Sequence, residues 1–188
     1  MKGTSVLLLA LGFCLVSSAH RLDEYLQAAR IGVSLERIDL AMDLTPGVAI
    51  AEELLASIDP KGRENIPRRE ANAYSHRLLS DLCLEVDGKR QALRLAHAAF
   101  PSRSEMESGE GTIRLQATAT LRKLRSGPHE LLFTNQHLPK MSVYLANALT
   151  PESQVIRITR QARDKLQQVY RLSFEVVSPN QRPQSRAW

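Results

Sequence analysis

ARIGVSLERIDLAMDL, residues 29–44, alternates twice over. Ala29, Ile31, Val33 and Leu35 stand at every second position, with Arg30, Gly32 and Ser34 between them. After Glu36-Arg37 the pattern resumes in Ile38, Leu40, Met42 and Leu44, set against Asp39, Ala41 and Asp43. A period of two gathers the apolar members of each run on one face of a strand. Two such runs across a short polar break predict an antiparallel hairpin. Downstream, Ile113, Leu115, Ala117, Ala119 and Leu121 keep the same period, as do Tyr170, Leu172, Phe174 and Val176. Shorter candidates lie at 84–86, 93–99, 129–134, 142–145 and 155–159. Asp87-Gly88 marks a two-residue hairpin turn, and the polar stretch PSRSEMESGEG (101–111) reads as a loop. About eight or nine short strands at this spacing predict a mainly β chain, an Ig-like antiparallel sandwich.

One stretch breaks the period. PGVAIAEELLASIDPKGRENIPRREANAYSHRLLSDL (46–82) carries apolar residues at three- and four-residue spacing. Val48, Leu54, Leu55 and Ile58 can share one helical face, and Ala71, Tyr74, Leu78 and Leu82 another. Pro46 suits the first turn of the first helix. The twelve residues between them, 59–70, have the layout of an EF-hand loop, with Asp59 at position 1, Asn65 at position 7 and Glu70 at position 12. Such loops place oxygen ligands at 1, 3, 5, 7, 9 and 12 and Gly at 6. Here position 3 is Lys61, position 5 is Arg63 and position 6 is Glu64. Cations at two ligand positions repel calcium. The insertion is therefore read as a degenerate EF-hand that does not bind calcium; weak calcium binding through the same loop is the alternative.

Residues 1–19, MKGTSVLLLALGFCLVSSA, read as a secretory signal peptide: Lys2, an apolar run from Val6 to Val16, then small Ser17 and Ala19 before a cleavage site. The run is too short for a spanning helix, which needs roughly 20 residues. The mature chain is thus expected in the periplasm or secreted, not itself membrane-spanning. It forms one domain over 20–178, with the helical pair inserted at 46–82 and a disordered tail at 179–188. Losing Lys2 takes the 25 Lys and Arg of the chain to 24, against 20 Asp and Glu. Cations scattered along the sequence and few aromatics exclude a nucleic-acid platform. Cys83 alone remains after cleavage, so no intramolecular disulfide is expected; within Leu82-Cys83-Leu84 it reads as a small buried hydrophobe.

No nucleophile elbow, phosphate loop, CxxC or HExxH pattern is present, so no catalytic residues are assigned. One constellation could hold a metal. Cleavage before His20 would leave an N-terminal amine beside its own imidazole, a chelating pair for copper or nickel. His137, in the loop 135–140, is the candidate further ligand. His76, His97 and His129 read as structural or solvated.

Three phrases resemble a known family: HRLDEYLQA (20–28), MDLTPGVA (42–49) and NQHLPKMSVYLANAL (135–149). They are similar to the extracytoplasmic, β-rich region of bacterial HupE/UreJ-type permeases, which are linked to nickel or cobalt uptake. Some of those relatives carry acidic residues where this chain has Lys61 and Arg63. The resemblance implies a non-catalytic exported protein that binds a partner or ligand, with a membrane transport protein as the expected partner. No membrane helices of that family are read in this sequence, so transport by this polypeptide itself is not expected.

Overall fold

The computed structural model describes residues 23–178. Residues 1–22, which include the stretch read as a signal peptide and the candidate ligand His20, and residues 179–188 lie outside the described residues. Within them the chain runs β1 (Tyr25–Val33), β2 (Arg37–Pro46), α1 (Val48–Ile58), α2 (Arg68–Ser80), β3 (Leu82–Val86), β4 (Lys89–Arg90), β5 (Arg94–Ala99), α3 (Arg103–Glu107), β6 (Ile113–Thr120), β7 (Gly127–Asn135), β8 (Ser142–Ala148), β9 (Ile156–Arg163) and β10 (Val169–Val176).

The strands form two five-stranded sheets, in the orders β5-β6-β2-β1-β8 and β4-β3-β7-β10-β9. This arrangement is consistent with a β-sandwich. All pairings are antiparallel except β1 with β8. The hairpin at 29–44 forms in the register its pattern requires, with Ile31 opposite Leu40 and Ala29 opposite Met42. Both rows point inward and are buried. They share a core with Phe133, Tyr170 and Phe174 of the second sheet. Each fully buried Leu, Ile or Phe contributes about 1.5–3 kcal/mol.

The helical pair joins the first sheet to the second. Leu54, Leu55 and Ile58 of α1, with Tyr74 and Leu78 of α2, belong to the same apolar core as the strands. Val48 does not join that face. It is exposed, and buried Ala51 takes its place one turn later. Likewise Ala71 and Leu82 are not the ends of the α2 stripe. Its buried residues are Tyr74, Ser75, Leu78 and Leu79, and Leu82 already opens β3.

Three further expectations need correcting. The polar stretch 101–111 is not all loop: Ser102 caps the short α3, accepting from the Glu105 N–H while the Glu105 carboxylate takes the Ser102 N–H. That reciprocal pair is a capping box, which a polar composition conceals. The described residues hold ten strands, the tenth being the two-residue β4 that the Asp87-Gly88 turn creates. Both turn residues sit in the left-handed region such a turn demands. Finally, Cys83 is half-buried on the outward side of β3 near Glu85. The strand's period of two sends Leu82, Leu84 and Val86 inward and Cys83 the other way.

Candidate functional site

The loop between α1 and α2 holds its own cation. The buried carboxylate of Asp59 accepts from the Arg63 side chain twice, from Nε at 3.0 Å and from Nη2 at 2.6 Å. It also accepts from the backbone N–H of Lys61 and Arg63. The same Nη2 donates to Glu70 Oε1 at 2.8 Å. The guanidinium thus bridges the residues at loop positions 1 and 12. The Arg63 hydrogen bonds hold the Asp59 carboxyl well below its usual range, outweighing burial, and Arg63 itself is raised by Asp59 and then Glu70. Glu70 is lowered for the same reason. Asn65 is exposed and takes no part in this network.

A second polar cluster is buried where α2 meets the two sheets. His137 is 3% exposed. Its Nδ1 lies 2.7 Å from Asp81 Oδ2, and its Nε2 lies 3.0 Å from the Tyr74 hydroxyl. The Tyr74 hydroxyl is 2.6 Å from that of Tyr25. One assignment satisfies every group: Tyr25 donates to Tyr74, Tyr74 to Nε2, and Nδ1–H to Asp81. Burial pushes the histidine below its ordinary pKa, against the pull of Asp81. Burial likewise raises Tyr25 and Tyr74.

The backbone around His137 is fixed as well. Its carbonyl accepts from Gln27 Nε2 at 2.9 Å and from the Tyr144 hydroxyl at 2.8 Å. Its N–H donates to Asn135 Oδ1, and Asn135 Nδ2 donates to Gln27 Oε1. Leu138 follows at φ 50°, an uncommon conformation for a residue with a Cβ.

Both ring nitrogens of His137 therefore face protein partners, and a metal would have to displace Tyr74 or Asp81. No group of three or more His, Cys, Asp or Glu that could hold a metal ion occurs among the described residues. His76 and His97 are exposed, whereas His129 lies within hydrogen-bond distance of Asp87.

A third feature is apolar. Leu26 on β1 stands opposite Val143 on β8, and Ala28 opposite Leu145. These residues alternate with inward-facing Tyr25, Gln27, Tyr144 and Ala146, so they lie on the outer face. They make a short strip whose large members, Leu26, Val143 and Leu145, are 36–39% exposed. Arg30, paired with Asp43 and opposite Asn147, ends it and separates it from exposed Leu149. The open edge of β8 is covered at Ala146, whose carbonyl accepts from Arg163 Nε at 3.0 Å and Nη2 at 2.7 Å.

Sequence reading selected Asp59, Glu70 and His137 but not their partners. In the sequence Arg63 reads only as a repellent for calcium. Gln27 and Asn135 were legible in principle, because each falls on the inward phase of an apolar strand and must find hydrogen bonds there. Tyr25, Tyr74 and Asp81 carry no such signal. No family model, curated protein or solved structure matches the chain. No helix among the described residues is long and apolar enough to cross a membrane.

Proposed function

We propose that this chain is an exported, non-catalytic, Ig-like β-sandwich with an EF-hand-derived helical insertion, and that it serves membrane metal transport by docking onto a permease of the HupE/UreJ type. The observation that carries this reading is the apolar strip on β1 and β8. Two of the phrases that resemble the family, 20–28 and 135–149, supply those strands and come to lie side by side. Their outer face presents Leu26, Val143 and Leu145 as neighbours, an exposed apolar group that ends at Arg30 and Asn147. The occupant of this face would be the extracytoplasmic side of that permease, with the paired Arg30 and Asp43 at the margin of the contact. Docking uses the face and not the edge, because Arg163 already holds the Ala146 carbonyl.

The experiment is binding of the mature chain to a HupE/UreJ-type permease in nanodiscs. Saturable binding that Leu145→Asp weakens at least about tenfold, roughly 1.4 kcal/mol, is the expected result. Binding that ignores Leu145→Asp, or no binding, overturns the reading.

The calcium alternative has one observation in view, the guanidinium of Arg63 between Asp59 and Glu70. It argues against that alternative, because the chain supplies its own cation and the helical pair becomes a clip fixed by Arg63.

A further inference from the structure

A cleft of about 580 Å³ opens between the β3–β4 turn and the connection from β6 to β7. Its volume falls within the range usual for small-ligand sites. Five cations line it: Lys89 and Arg90 from one side, Arg122, Lys123 and Arg125 from the other. Some thirty residues of sequence separate the two groups, so the charge reads as scattered until the chain folds. Among the described residues none of the five pairs with a carboxylate.

Asp87, the one acid among the described residues that line the cleft, is already engaged. Its carboxylate takes the Glu130 N–H at 3.1 Å and lies 2.8 Å from His129 Nδ1. His129 Nε2 lies 2.7 Å from the Arg125 carbonyl, and the ring stacks on Phe174. The connection is also fastened from behind. Leu121 N–H donates to the Glu36 carbonyl at 2.7 Å and Leu124 N–H to that of Leu35 at 2.9 Å. Arg122 and Lys123, between these two anchors, make no backbone bond through their own N–H groups. Val86 and Leu121 are buried beneath the charges.

Like charges brought together on a fixed frame repel one another and concentrate an anion. Three of the five are arginines, whose planar forks match phosphate oxygens two at a time. We propose that this cleft binds a multiply charged, phosphate-bearing anion. The site is separate from the apolar strip and does not rest on the permease reading. The same chemistry is offered by a soluble phosphate ester and by an anionic lipid headgroup, and the experiment separates them.

The purified chain is titrated calorimetrically with inorganic pyrophosphate at about 0.1 M salt, where longer-range attraction is screened. One saturable site is expected. Arg122→Ser with Lys123→Ser should weaken it at least about tenfold while the thermal melt stays cooperative. Arg160→Ser with Lys165→Ser, which removes equal charge from exposed positions outside the cleft, should leave it unchanged. Co-sedimentation with vesicles of phosphatidylcholine plus phosphatidylglycerol, competed by pyrophosphate, would support the cleft and assign a headgroup. Pyrophosphate binding without vesicle binding would support it and assign a soluble ester. Absence of saturable pyrophosphate binding, or equal weakening by both variant pairs, would overturn it.

Discussion

The imidazole Nε2 of His137 lies 3.0 Å from the Tyr74 hydroxyl, and this contact ties the loop after β7 to the inner face of α2. Tyr74 also meets Tyr25 at 2.6 Å, so one phenol joins helix, loop and first strand. Tyr74→Phe removes the acceptor for Tyr25 and the donor to His137 together. Leaving buried polar groups unpaired costs about 1–3 kcal/mol. Urea unfolding should show that loss with an unchanged m-value.

The same contact predicts acid sensitivity. Burial, against Asp81 and with Arg77 nearby, holds His137 below the ordinary histidine pKa. Between the folded and unfolded values, the unfolded chain binds more protons, so stability rises with pH there. The contribution of the neutral ring is present above about pH 6.5 and is lost as pH falls through the folded value. Protonation would also turn Nε2 into a donor facing the Tyr74 hydroxyl and reverse the chain of donors. His129 carries the opposite sign. Burial opposes its charge, but the Arg125 carbonyl and Asp87 outweigh that and raise it. Its contribution is full below about pH 6.5 and fades as pH rises through the raised value. Urea midpoints measured from pH 5 to 8 should lose their acid-side slope in His137→Asn and their opposing component in His129→Asn.

The strands were legible because a period of two survives in the text: the hairpin at 29–44 pairs Ile31 with Leu40 as read. The bulge between Leu95 and His97 was not, because an extra residue in β5 shifts the phase and turns Ala98, not Ala99, toward Leu115. The helical pair was legible from spacing, but the role of its loop was not. In the sequence Arg63 is only a charge at a ligand position, whereas the fold makes it the counter-ion of Asp59 and Glu70. Likewise His137 could be picked out as a loop histidine, but Tyr25, Tyr74 and Asp81 reach it from 112, 63 and 56 residues away, and no local pattern encodes such a meeting.

Arg63→Gln should expose what the guanidinium does. Asp59 and Glu70 would face each other with no cation between them, and the melting temperature should fall. Calcium at about 10 mM, well above the affinity of the weakest EF-hand sites, should recover part of the loss in Arg63→Gln and none in the wild type. In the wild type, the lowered Asp59 and Glu70 make a contribution present above their unfolded pKa values of about 4. It is lost as pH falls through the folded ones, and Arg63→Gln should abolish that component of acid unfolding.

Gly111 has a steric role. A Cβ there would stand 2.7 Å from the Met106 backbone nitrogen, too close without moving α3. Buried Met106 would shift with it. Gly111→Ala should destabilise by about 1–3 kcal/mol, the usual cost of overpacking, measured by chemical denaturation.

The central claim is that the marked polar residues hold the fold and leave binding to the surface. The most direct measurement is the melting temperature of the chain beginning at His20 with copper, nickel, cobalt and calcium in turn. The account predicts no shift with any ion, because His137 is held by Tyr74 and Asp81 and the 59–70 loop by Arg63. A copper or nickel stabilisation that disappears in His137→Asn, or a calcium stabilisation that disappears in Glu70→Gln, would contradict it.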